Sequence, residues 1–354
     1  MKKICFVMPN MSGGGAQRVV SVIANRLSNE GYEVSVLITN KNIVEYDLDK
    51  KVVLKIACNS KNNGARTQIQ MIRKEMKKSP KTVFISFLDN QNDFTIIAGL
   101  GLRNKVIVSQ RNDPHQAFQN RKYMKQVDRF LYTLADAAIF QTKDAMEYYP
   151  KRGKNKYRVI LNPLKDDLPE RYFGKRTKRV VTVCRLNKQK NLPLAIDAFN
   201  QFRKSHSEFI FEIYGKGELE QELKNYVAEI GLEDAVKFRG FCNNVHEKIV
   251  DASIFLISSD FEGLSNSMIE SMALGIPTVA TDCPIGGARM VISSGNNGYL
   301  VPVNNKEKIV EAMSRIADDS KLAEKISNNA YEIRRQLSVD RICLEWRKVI
   351  DELL

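Results

Sequence analysis

Lys3-Ile4-Cys5-Phe6-Val7-Met8-Pro9-Asn10-Met11-Ser12-Gly13-Gly14-Gly15-Ala16 is the stretch that decides the fold. Its apolar run reads as a strand buried on both faces, and Pro9, which has no backbone N–H to donate, ends it. A glycine loop follows. From Ala16 to Glu30 the apolar residues Val19, Val22, Ile23 and Leu27 fall at helical spacing, and Gly31 stands where a helix stops. Glu33–Thr39 is strand-like again. A strand, turn, helix and second strand make a βαβ unit, and therefore a parallel sheet.

The same order restarts in the second half, with a strand at Arg179–Cys184, a helix at Leu192–Lys204 and a strand at Phe209–Tyr214. Two such starts in 354 residues imply two Rossmann-like, doubly wound α/β domains facing a cleft. The first spans 1–164 and the second 165–339, with Asn162–Lys178, rich in proline and charge, as the linker. A final amphipathic helix over 340–354 carries the only tryptophan, Trp346.

Composition removes several classes. Hydrophobic residues are 43% and charged residues 27%, enough for a large core. The longest apolar runs, Thr95–Leu102 and Ala252–Ser258, fall far below the ~18 residues of a membrane-spanning helix. Met1–Met8 imitates a secretory signal, but its apolar run is too brief. Six cysteines are scattered without a CxxC pair or a His–Cys cluster, so neither a zinc site nor a disulfide framework is expected. A reduced, cytoplasmic setting fits.

The net charge of +14 is unevenly placed. Residues 1–164 hold 28 basic and 13 acidic side chains, whereas 165–354 hold 27 and 28. The densest basic stretch runs from Lys61 to Lys81, with Arg66, Arg73, Lys74, Lys77 and Lys78 around the single acid Glu75. Others are Arg121-Lys122 with Lys125, and the group Lys151, Arg152, Lys154, Lys156 and Arg158. Such asymmetry implies an anionic partner at the first half: a phosphorylated substrate, lipid headgroups or nucleic acid. No RNA- or DNA-binding motif accompanies the charge.

Three loops could carry chemistry. Phe261-Glu262-Gly263-Leu264-Ser265-Asn266-Ser267-Met268-Ile269-Glu270 follows an apolar strand, at the end of a sheet where ligands bind, and opens a helix whose N-terminus suits a phosphate. Within it Ser267-x-x-Glu270 has the spacing of a capping box, which would give Glu270 a purely structural task. Arg185 and Lys190, also just past a strand, could neutralise a diphosphate, one through a fork and the other as a point charge. Gly13-Gly14-Gly15 permits close backbone approach, although Arg18 breaks the dinucleotide fingerprint. Gly215-Lys216-Gly217 is a weaker glycine turn, and Asp47-Leu48-Asp49 reads as a surface loop rather than a metal site.

Together these features resemble the GT-B glycosyltransferases of family 4, retaining enzymes that use nucleotide sugars. The likeness runs through the glycine loop with Ala16-Gln17-Arg18, the Arg185 and Lys190 pair, Phe238-Arg239-Gly240-Phe241, Glu262 with Glu270, and Asn297-Gly298-Tyr299-Leu300-Val301-Pro302. It implies an acceptor domain followed by a donor domain, with the last helix packing back on the first. By resemblance Arg185 and Lys190 bind the donor diphosphate, Glu270 the ribose, and Glu262 with the amides of Gly263, Leu264 and Ser265 the sugar. Gly15 would close over the phosphates, and the segment Gly240, Phe241, Asn243 would touch the base. Arg111 and His115 are possible acceptor or substrate contacts, and no residue is assigned as a base. Met290 stands where relatives often carry a glutamate.

The expected reaction is transfer of a hexose or N-acetylhexosamine from a UDP-sugar to a lipid-diphosphate-linked saccharide, without a metal or other cofactor. The enzyme would sit peripherally on an anionic inner membrane face. A nucleotide-sugar epimerase on the same fold and a basic nucleic-acid-binding protein are the rival expectations.

Overall fold

The computed structural model describes residues 2–57, 63–117, 122–150 and 156–354. Lys61, Arg121, Lys151, Arg152 and Lys154 of the basic stretches lie outside the described residues, as does Cys58. The chain divides into two compact units, one made of Met1–Pro163 with Leu337–Leu354, the other of Leu164–Gln336.

The first unit is built on strands β1 (Lys3–Met8), β2 (Glu33–Ile38), β3 (Val53–Ile56), β4 (Val83–Phe87), β5 (Lys105–Ser109), β6 (Ala137–Phe140) and β7 (Lys156–Val159). All neighbours pair parallel, in the order β3-β2-β1-β4-β5-β6-β7. The second holds β8 (Thr177–Val183), β9 (Ile210–Tyr214), β10 (Val236–Gly240), β11 (Ala252–Ile257), β12 (Thr278–Thr281) and β13 (Tyr299–Val301). These are also parallel, in the order β10-β9-β8-β11-β12-β13. Parallel strands need crossovers, and helices supply them: Gly15–Asn29 after β1 and Leu192–Arg203 after β8. The strand order reverses between β1 and β4 and between β8 and β11. At such a reversal the flanking loops splay apart and leave a crevice beyond the carboxyl ends.

Burial explains the unbroken apolar runs. Five of the six residues of β1 and of β2 are buried, so neither face could be polar. In the second unit Phe199 and Phe202 of the crossover helix pack against Phe211, Ile254, Leu256 and Val279.

The last helix, Val339–Asp351, belongs to the first unit and packs beside Gly15–Asn29. Trp346 is fully buried and stacks on Phe87, ring centroids 5.5 Å apart. Tyr32 donates to Asp351 at 2.6 Å. The stretch expected as a linker is bound down in the second unit: Arg176 donates to the carbonyls of Val250 (3.0 Å), Ala252 (2.9 Å) and Gly275 (2.6 Å). Among the described residues no helix is long and apolar enough to cross a membrane.

Candidate active site

At the switch point of the second unit the loops leaving β8 and β11 are stitched together. Asp260 N–H donates to Gln189 O (3.0 Å), the Gln189 amide to Phe261 O (2.8 Å), and Ser258 Oγ to Lys190 O (2.8 Å). Asn191, at φ 43°, turns the chain through the left-handed region that asparagine tolerates. Its side chain caps the helix Leu192–Arg203 and donates to Asp260 at 2.7 Å.

These bonds bring Lys190 against Glu262. The ammonium donates to Oε1 of the carboxylate, which also accepts from Ser259 Oγ at 3.3 Å. Each side chain is only 16% exposed. Burial disfavours the charge on Lys190, but the adjoining Glu262 carboxylate outweighs it and holds the pKa above the ordinary lysine value. The group therefore stays cationic at neutral pH. Arg185, in the same loop just past β8, is exposed.

Two glycines explain how tightly the loops close. A Cβ on Gly215 would lie 1.8 Å from Cys184 O, and one on Gly287 1.7 Å from Gly263 O. No side chain fits either contact. The backbone at Gly263, Leu264 and Ser265 is buried beneath that crossing and leads into the helix Asn266–Ala273.

That helix corrects one expectation. Its N-cap is Ser265, not Ser267, so Glu270 sits two positions past the place that would close a capping box. Instead Glu270 Oε2 lies 3.0 Å from His246 Nε2, and both side chains are largely buried. His246, on the short helix Val245–Ile249, escaped the sequence reading because it lies 24 positions before Glu270 and in no motif. Beside it, Gly240 adopts φ 68° and its carbonyl accepts from Gly215 N–H at 2.8 Å. Phe241 is 68% exposed, and Asn243 is also on the surface.

Thus the structure gathers Arg185, Lys190, Glu262, Gly263, Leu264, Ser265, Glu270, Gly240, Phe241 and Asn243 onto loops and a helix at the carboxyl ends of β8, β10 and β11. Gly15, Arg111 and His115 belong to the first unit. Gly15 opens the helix after β1, and the preceding amides of Gly13 and Gly14 donate to Glu45 and Tyr46. Arg111 is built into the core. It donates to Asn162 Oδ1 at 3.0 Å, lies over Phe87 and Trp346 at 4.8 and 5.4 Å, and burial pushes its pKa down to about 9. His115 is exposed, with Nδ1 held 3.0 Å from Asp113 and its ring edge-on to Tyr148. Asp49 accepts from Lys51 N–H in its own loop and from the amide of Asn29 at the end of the helix Gly15–Asn29. Among the described residues no three carboxylate, His or Cys side chains are grouped as metal ligands.

Residues 166–333 match the family model described as glycosyl transferases group 1. Over 369 aligned residues the chain is 27% identical to a Campylobacter jejuni enzyme, covering 100% of this chain and 99% of that one. That relative is the GalNAc-α-(1→4)-GalNAc-α-(1→3)-diNAcBac-PP-undecaprenol α-1,4-N-acetyl-D-galactosaminyltransferase. A second C. jejuni relative, the N-acetylgalactosamine-N,N′-diacetylbacillosaminyl-diphospho-undecaprenol 4-α-N-acetylgalactosaminyltransferase, is 26% identical, covering 93% of this chain and 94% of its own. Among solved structures, HepE of Anabaena in complex with UDP and glucose superposes with a TM-score of 0.84 at 18% identity, covering 99% of this chain and 100% of that one. Sucrose-phosphate synthase of Thermosynechococcus elongatus gives 0.84 at 16% identity, with 100% and 99% covered. With two parallel α/β units, the group 1 match in the second and full-length likeness to glycosyltransferases, the chain is a glycosyltransferase of the GT-B fold.

Proposed function

We propose that the chain is a retaining, family 4-like enzyme that moves a hexose or N-acetylhexosamine from a UDP-sugar to a lipid-diphosphate-linked saccharide. The Lys190–Glu262 pair at the β8–β11 switch point carries this reading. A donor diphosphate gains charge as the sugar leaves, and an ammonium already fixed by its neighbours stabilises that charge without reorganising. Arg185 adds a second cation, and the amino end of the helix Asn266–Ala273 supplies backbone N–H groups. Glu262 and the amides of Gly263 to Ser265 hold the sugar, Glu270 the ribose, and the Gly240 to Asn243 segment the base. Gly15 is assigned to the phosphates, and of Arg111 and His115 it is His115 that is exposed, which makes it the proposed acceptor contact. With cations in place no metal is required.

The names of both Campylobacter relatives support a polyprenyl-diphosphate acceptor, and the structural neighbour solved with UDP supports the base. Attachment to an anionic inner membrane face fits the surplus charge of the first unit. Arg73, Lys74, Lys77 and Lys78 lie on the helix Ala65–Lys78, and Arg73 bonds the carbonyl of exposed Leu100 at 2.8 Å. Tyr123 and Phe130 stand exposed along the helix Lys122–Tyr132. Cations and exposed aromatic side chains both suit lipid headgroups.

A thermal-shift screen against UDP-, GDP- and ADP-sugars, repeated on Lys190→Ala and Glu270→Ala, tests the reading. UDP-sugars should stabilise the wild type, and both substitutions should shrink the shift. Equal shifts in all three proteins would refute the assigned roles.

A further inference from the structure

We infer that His246 is a positioning residue for the nucleotide, orienting the Glu270 carboxylate toward the ribose hydroxyls. This rests on the nucleotide-sugar reading above and extends it to a residue outside every motif.

The geometry is a two-element clamp. Glu270 lies inside the helix Asn266–Ala273, between the buried residues Ile269 and Ser271, so its backbone is fixed. Its side chain still has three rotatable bonds, and a buried carboxylate needs a donor to hold one rotamer. His246 provides one from a different element. Val245 and Ile249 anchor its short helix in the core, and the ring nitrogen reaches Oε2 at 3.0 Å. A carboxylate only accepts, so Nε2 carries the proton and the bond is charge-assisted. A vicinal diol presents two O–H donors, and it needs the carboxylate plane already turned toward it. Loss of the His246 donor removes a hold on that orientation, at the expense of affinity.

The direct test is calorimetric binding of UDP and of 2′-deoxy-UDP, which lacks one of the two hydroxyls. The wild type should bind UDP about tenfold tighter, the worth of one hydrogen bond to a charged group. His246→Ala should bring that ratio close to one, and Glu270→Gln should lower it. His246→Gln, whose amide N–H can replace the imidazole donor, should restore most of the ratio. Lys190→Ala should weaken both nucleotides alike and leave the ratio standing. A role confined to packing would change thermal stability without changing the ratio. If His246→Ala keeps the wild-type ratio, or the wild type binds UDP without telling the two sugars apart, the inference is overturned while the nucleotide reading survives. If the wild type binds none of UDP, GDP and ADP, that reading falls and takes the inference with it.

Discussion

Lys190 and Glu262 are 72 residues apart in sequence and form an ion pair across the boundary between β8 and β11, where the order of the second sheet reverses. Neither charge is fully hydrated there, so removing either leaves the other short of a partner. Lys190→Ala should lower kcat roughly 10²- to 10³-fold, the range for loss of one preorganised donor to a developing negative charge. Lys190→Arg should recover part of that, since it restores charge but not shape. Steady-state kinetics at saturating donor separate the two variants.

Gly287 should be intolerant of a single methyl group. The added Cβ would meet Gly263 O at 1.7 Å, whereas one on Gly64 meets nothing within 4 Å. Gly287→Ala should destabilise the second unit by roughly 2 kcal/mol or more, and Gly64→Ala should stay within about 0.5 kcal/mol of wild type. Urea unfolding followed by circular dichroism checks both.

Trp346 joins the final helix to the first sheet through Phe87. Trp346→Ala should cost about 3–5 kcal/mol, and Trp346→Phe markedly less. Denaturant titration of the two variants is the measurement.

Asp93 and Asp128 face each other in the interior of the first unit. Burial, and then the charge of the neighbouring carboxylates, push both pKa values up, Asp93 to about 8. A carboxyl raised in the folded state binds its proton more tightly there than in the unfolded chain. The stability it adds is complete below the ordinary carboxylate pKa and is lost as pH rises through the folded value. Melting temperature should therefore fall between roughly pH 5 and pH 8, and Asp93→Asn should flatten that slope and be the more stable protein at the alkaline end. A slope unchanged by Asp93→Asn would contradict the assignment.

Replacing Lys74, Lys77 and Lys78 with glutamine should weaken binding to vesicles containing anionic phospholipid by about a hundredfold, at about 1 kcal/mol per charge. Flotation at low and high salt measures it. Unchanged flotation would remove this helix from the membrane contact.

Much of the architecture was legible because it is local. Ile4–Met8 is too apolar for anything but a strand buried on both sides, and the helix read as Ala16–Glu30 is observed at Gly15–Asn29. The two strand-turn-helix starts gave two parallel sheets because a parallel strand pair demands a crossover. Glu270 shows the limit. Ser267-x-x-Glu270 has the spacing of a cap, yet the preceding turn brings Ser265 to the N-cap, and Glu270 pairs with His246 from another strand's loop. Arg111 shows it too: its neighbours Phe87 and Trp346 come from the adjacent strand β4 and from the last helix, 235 positions on. Periodicity reports which face of an element is buried, not which distant side chain it meets.

Release of UDP from UDP-sugars, measured with and without a polyprenyl-diphosphate saccharide, in wild type and Lys190→Ala, addresses the whole account in one assay. Acceptor-dependent release by the wild type, with the sugar recovered on the lipid and the rate in Lys190→Ala down at least a hundredfold, is the predicted result. Undiminished turnover by Lys190→Ala, or no sugar passing to the lipid from any UDP-sugar, would contradict it.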